Sequence, residues 1–134
     1  MAAKQLSYLM EGVHIAVTKT MGRGVFTTEP IPQGTLIELA PVIVMSGEER
    51  DHLNKTLLFN YIFDWDKRRD QCAVALGFVS IYNHSYKANC QYGMYYKKQS
   101  ISIIAVRDIA AGEELFINYN GTWDDEKKVW FDAT

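Results

Sequence analysis

The side chains best able to do chemistry fall in three short segments: Gly22-Arg23-Gly24, Asn83-His84-Ser85, and Tyr119 at the end of Gly112-Glu113-Glu114-Leu115-Phe116-Ile117-Asn118-Tyr119. Glycines on both sides of Arg23 let the backbone approach a ligand with no Cβ in the way. No third glycine follows at the dinucleotide-binding offset, and the next residues, Val25-Phe26-Thr27-Thr28, read as strand, so a phosphate cradle does not fit. His84 beside Ser85 suggests a base and a nucleophile, yet no Gly-x-Ser-x-Gly elbow occurs in the chain, which closes the serine-hydrolase route at motif level. Read alone, Asn83-His84-Ser85 is also an ordinary turn, since Asn and Ser bond readily to nearby backbone. Tyr119 lies 35 positions after His84, so only the fold can bring the two together.

The bulk properties bound what can position them. A chain of 134 residues fits a single domain spanning 1–134, large enough to bury roughly two-thirds of its unfolded surface. Hydrophobic residues make up 48% and charged residues 22%, an ordinary balance for a soluble globular protein. No apolar run approaches the roughly 20 residues of a membrane span, and Met1 to Leu9 do not read as a secretory signal. The expectation is a protein without membrane contact, cytoplasmic or nuclear, with a virion location also open. A net charge of −2 and the lack of a Lys/Arg-rich stripe argue against direct nucleic-acid binding. Cys72 and Cys90 stand 18 apart with no second pair and no regularly spaced histidines, so no four-ligand zinc pattern is present and two buried free thiols are expected.

The pattern along the chain is mainly β with little helix. Val13, Ile15 and Val17 alternate with His14, Ala16 and Thr18, which predicts a short strand with one buried face. Val25 to Thr28 and Thr35 to Val44 read as the next strands, separated by Pro30 and Pro32, each of which removes a ladder donor. Ser46-Gly47-Glu48-Glu49 has the form of a capping box opening a short helix to about Asn54. From Phe59 to Trp65 the odd positions are all aromatic, so a strand there would put Phe59, Tyr61, Phe63 and Trp65 on one face, either as core packing or as a channel wall. Lys67-Arg68-Arg69-Asp70 reads as a solvated turn, Cys72 to Leu76 as a buried strand and Gly77 to Tyr82 as either a short helical turn or an irregular segment delivering Asn83. A hairpin with Lys97-Lys98-Gln99-Ser100 at its turn joins Tyr92 to Tyr96 and Ile101 to Val106. If Glu114 to Tyr119 is extended, Leu115, Ile117 and Tyr119 share a face.

In order and character the three segments resemble the SET-domain protein lysine methyltransferases, over roughly residues 13 to 123. The resemblance implies a fold of several small sheets with a knot-like C-terminal segment, and an enzyme moving a methyl group from S-adenosylmethionine to a lysine amine of a protein, plausibly a histone tail. It assigns Gly22, Arg23, Gly24, Asn83 and His84 to the cofactor, and Tyr119 both to the cofactor site and to orienting the amine and the methyl. Tyr61 joins Tyr119 as the catalytic pair. Phe63, Tyr92 and Phe116 are named with Tyr61 as walls of the lysine channel. The family pattern commonly runs Asn-His-Ser-Cys-x-Pro-Asn-Cys, whereas this chain has Tyr86 and Ala88 at the first Cys and the Pro and no cysteine after Cys90. A zinc-bound tail is therefore ruled out by the resemblance, and no metal is expected. Closure of the site would fall to aromatics, with Trp123 over the cofactor and Trp130 and Phe131 either covering it or anchoring a terminal helix.

The apolar channel would favour the neutral amine, since a lysine's ordinary pKa of roughly 10.4 leaves few neutral amines at pH 7 and burial penalises the ammonium. Glu48, Glu49, Asp51, Asp124, Asp125 and Glu126 are either a solvated face or an attractor for a basic peptide. So compact a domain is compatible with a homodimer that completes the substrate groove. The competing class is an inactive SET-fold binding module, against which intact Asn83-His84 and Tyr119 stand.

Overall fold

The computed structural model describes residue 3 and residues 5–128. In chain order the elements are β1 (Tyr8–Leu9), β2 (Val13–Val17), β3 (Arg23–Thr27), β4 (Leu36–Met45), α1 (Gly47–Leu53), β5 (Ile62–Asp64), β6 (Cys72–Ala75), β7 (Asn83–His84), β8 (Cys90–Tyr95), β9 (Ser100–Ala105) and β10 (Glu114–Ile117). Single 3₁₀ turns occupy Leu57–Asn60, Lys67–Arg69 and Val79–Ile81. The mainly β reading and its single short helix are what the described residues show.

Two sheets share the work. The larger runs β5-β6-β4-β9-β8, with β1 added to β4. The long strand β4 is its hub: Glu38 and Leu39 lie between β1 and β9, whereas Val42 to Met45 pair with β6. An irregularity between Leu36 and Glu38 shifts the register there, which bends the strand and curls the sheet. The smaller sheet runs β2-β3-β10-β7, and within it β10 and β7 are parallel, Phe116 beside Asn83 and Ile117 beside His84. Between the sheets lies a core that includes Val25, Ile37, Ile101, Ile103, Leu115 and Ile117, all essentially without solvent contact. Burial on this scale contributes about 1.5 to 3 kcal/mol per aliphatic side chain.

The capping box forms as expected: the Ser46 hydroxyl accepts from the Glu49 amide at 3.2 Å and the Glu49 carboxylate accepts from the Ser46 amide at 3.0 Å. The hairpin β8–β9 turns at Gln99, whose φ of 46° is left-handed. Cys72 and Cys90 are buried free thiols, and burial pushes the Cys90 thiol up to about 12.

Two local expectations are corrected. In β2 only Val13 is buried; Ile15 is 37% and Val17 83% exposed, because β2 is an edge strand and its far end projects beyond the core. The aromatic run Phe59 to Trp65 is not one strand. β5 is confined to the residues that find partners on β6, Ile62 opposite Val74 through Asp64 opposite Cys72. Lacking a ladder, the preceding residues satisfy their amides locally, Phe59 to the Thr56 carbonyl and Tyr61 to the Leu58 carbonyl.

Candidate active site

The smaller sheet builds the first half of the site. Because β10 lies between β3 and β7, it brings Glu114, Asn83 and the backbone of Arg23 and Gly24 together. The Asn83 side-chain Nδ2 donates to the Arg23 carbonyl at 3.0 Å and to the Glu114 carboxylate at 2.8 Å. A Cβ on Gly24 would sit 2.5 Å from that carboxylate and 2.9 Å from the Asn83 nitrogen, so glycine is what the approach permits. Gly22 turns the chain with a left-handed φ of 68°. Burial holds the Glu114 carboxyl above its ordinary range, offset in part by the Asn83 donation. This cluster gathers carbonyl and carboxylate acceptors around one carboxamide, an acceptor set suited to a cationic amino-acid group.

The second half is an aromatic cleft of about 1190 Å³. Tyr61, Phe63, Tyr82, Tyr92, Met94 and Tyr119 are among its walls. The 3₁₀ turn Val79–Ile81 supports it, the Ser80 hydroxyl donating to the Tyr61 carbonyl at 3.0 Å. Phe63 meets Tyr92 edge to face at 5.3 Å, and the Tyr92 hydroxyl donates to the Tyr119 carbonyl at 3.4 Å. Asp66 and Asp125 stand at the cleft, as does Asp64, which is paired with Arg50 at 2.5 Å.

Tyr119 joins the halves. Its amide donates to His84 Nδ1 at 3.0 Å, which puts the ring proton of a neutral His84 on Nε2. His84 is 4% exposed, and burial lowers its pKa, so it stays neutral. The Tyr119 hydroxyl donates to the Tyr82 carbonyl at 2.8 Å. Burial, with a smaller contribution from Tyr61, pushes that hydroxyl up to about 12. At neutral pH it keeps its proton and stays a hydrogen-bond donor.

Of the residues singled out in the sequence, Tyr61, Phe63, Tyr92 and Tyr119 meet at the cleft, while Arg23, Gly24 and Asn83 meet beside Glu114. Phe116 does not line the cleft: its register with Asn83 places it on the face of β10 opposite the buried Leu115 and Ile117. Trp123 is 39% exposed. Its backbone ties the C-terminal segment to the stretch after His84, accepting from the Ala88 amide at 3.2 Å and donating to the Gln91 side chain at 3.2 Å. Trp130 and Phe131 lie outside the described residues. Two contributors escaped the sequence reading. Asn89, fully buried, clamps β10 by donating to the Glu114 carbonyl and accepting from the Phe116 amide, each at 2.8 Å; its place in Asn89-Cys90 was the available signal. Tyr82 carried no signal beyond adjacency to Asn83.

The SET-domain family model matches residues 22–120. A histone-lysine N-methyltransferase of Schizosaccharomyces pombe, specific for H3 lysine-37, is 36% identical over 125 residues, covering 90% of this chain and 77% of that protein. A solved structure from Plasmodium falciparum, assigned as a histone methyltransferase, superposes with a TM-score of 0.65 at 23% identity, over 86% of this chain and 98% of its own, and supports the fold. The chain belongs to the SET-domain family. It is a protein-lysine N-methyltransferase, and SET methyltransferases take their methyl group from S-adenosylmethionine. Among the described residues no helix is long and apolar enough to cross a membrane, and no His, Cys, Asp and Glu side chains gather as a metal site.

Proposed function

We propose that this chain methylates a lysine of a histone tail, with Gly22, Arg23, Gly24, Asn83 and His84 holding the cofactor and the Tyr61, Phe63, Tyr92, Tyr119 cleft receiving the lysine. The observation that carries the reading is Tyr119, bonded through its amide to His84 and through its hydroxyl to the peptide that precedes Asn83, so that one residue belongs to both halves. S-adenosylmethionine, when bound, supplies an electrophilic methyl on a positively charged sulfur. Around its amino-acid end the Arg23 carbonyl, the Glu114 carboxylate and Asn83 offer acceptors. Trp123, part-exposed and tied through its backbone to Ala88 and Gln91, is the available aromatic to cover the cofactor. The aromatic rings around Tyr119 disfavour the ammonium form of the substrate lysine, leaving the amine its lone pair for in-line attack. Tyr119 and Tyr61 orient that amine.

The cleft sets Asp64, Asp66 and Asp125 among Arg50, Lys67, Arg68 and Lys127, so a basic tail would be held there by individual contacts and not by a field of one sign. A nuclear location follows from a histone substrate. The homodimer suggested by the compact chain has a surface available in edge strand β2, where Ile15 and Val17 are exposed. Incubating the protein with methyl-labelled S-adenosylmethionine and histone-tail peptides, the segment around H3 lysine-37 among them, should label a lysine-containing peptide and not its Lys→Arg version. Absence of transfer to every peptide and to whole histones would overturn the substrate assignment.

A further inference from the structure

Glu38 does not line the cleft, yet its carboxylate leads to the reacting geometry. It is 3% exposed on β4, in the larger sheet, at a position where the core would otherwise take an aliphatic side chain. A carboxylate so placed is costly unless its oxygens are bonded, and both are. One accepts from the Tyr82 hydroxyl at 2.9 Å and the other from the Phe78 amide at 2.8 Å. The chain makes room for it: Gly77, at a φ of 70°, has no Cβ, and one would collide with the carboxylate. Tyr82, itself fully buried, is thereby pinned at its far end.

The other end of Tyr82 is its carbonyl, which accepts the Tyr119 hydroxyl at 2.8 Å. That carbonyl belongs to the same peptide plane as the amide of Asn83, the first residue of β7. Moving the Tyr82 ring therefore moves the acceptor that sets the Tyr119 hydroxyl. We infer that Glu38 is a positioning residue for methyl transfer, acting through the buried Tyr82 to fix the direction of the Tyr119 hydroxyl. This rests on the proposed role of Tyr119 in transfer. It assigns to a residue of the larger sheet a function in a site otherwise assembled at the end of the smaller one.

Tyr82→Phe removes the hydroxyl that reaches Glu38 and keeps the ring. Protein labelled with ¹³C at tyrosine Cζ reports the hydrogen bonding of each phenol, and Tyr119→Phe identifies the Tyr119 signal by its disappearance. In folded Tyr82→Phe the Tyr119 signal should move, and kcat should fall about tenfold, the scale of a sub-ångström misplacement, while the KM for the cofactor is unchanged. A fall in kcat with a stationary Tyr119 signal would overturn the inference, because the effect would then be general destabilisation. A displaced signal with unchanged kcat would overturn it equally. Should Tyr82→Phe fail to fold, Glu38→Gln, which keeps the side chain's length and one acceptor, is read by the same two measurements. If the wild type transfers no methyl group, the functional reading has failed, and the Tyr119 signal alone decides whether Glu38 reaches that hydroxyl.

Discussion

The two halves of the site are built by opposite means. The Gly24, Asn83 and Glu114 half is made of backbone in register: β3, β10 and β7 bring carbonyls and one carboxamide together, and a Cβ on Gly24 has nowhere to go. The cleft is made of side chains carried on short pieces, a 3₁₀ turn, three residues of β5, one face of β8 and the segment after β10. A half built from backbone tolerates few changes in size, whereas a half built from rings tolerates exchange of shape but depends on where each hydroxyl points. Substitutions in the first should therefore disturb binding, and substitutions in the second should disturb rate.

The sharpest test of that contrast is Tyr119→Phe, which leaves the ring in the cleft and removes its hydroxyl. The expectation is a fall in kcat of about 10²-fold, measured by labelled methyl transfer, with cofactor affinity by titration calorimetry unchanged. A large loss of affinity instead would move Tyr119's contribution to the cofactor half. Gly24→Ala should do the reverse. Its new methyl displaces the Glu114 carboxylate or the Asn83 amide, weakening cofactor binding about tenfold, or about 1.4 kcal/mol, while kcat at saturating cofactor stays closer to wild type; unchanged affinity would show that the pair relaxes without consequence.

The smallest effect concerns pH and lies outside both halves. Burial raises the Glu38 carboxyl above its ordinary 4.5 despite the Phe78 and Tyr82 donations. A folded-state pKa above the unfolded one means that the stabilising contribution is complete below the unfolded value and is lost as pH rises through the folded value. Relative to Glu38→Gln, the wild type should therefore lose stability as pH rises above the ordinary 4.5. Thermal unfolding of both proteins across that range checks it, and a constant difference in Tm would contradict the raised pKa.

The first half was the more legible in the sequence because its requirements are written locally. A glycine that cannot carry a Cβ and an Asn-His pair at the start of β7 appear as motifs, and the capping box, the β8–β9 hairpin and the extent of β4 follow from patterning of the same local kind. The cleft was harder to read. Tyr61, Phe63 and Tyr92 were identifiable as aromatics, but the alternation from Phe59 to Trp65 suggested a strand, and the absence of a partner on β6 limited it to Ile62–Asp64. Phe116 illustrates the same limit, since neighbouring residues of β10 face opposite ways and the parallel register with Asn83 decides which way it turns. Glu38 and Tyr82 are 44 positions apart and meet only in three dimensions.

The parallel pairing of β7 with β10 also makes the site depend on a non-local contact. Ile117 must close on His84 across a long intervening segment, and loops of this kind are among the slower events of folding because their entropy is lost before their contacts are gained. Until β10 docks, Asn83 lacks the Glu114 carboxylate, His84 lacks the Tyr119 amide and Tyr82 lacks the phenol. The methyl-transfer site thus exists only where β10 is in place between β3 and β7, so one strand's docking completes both halves.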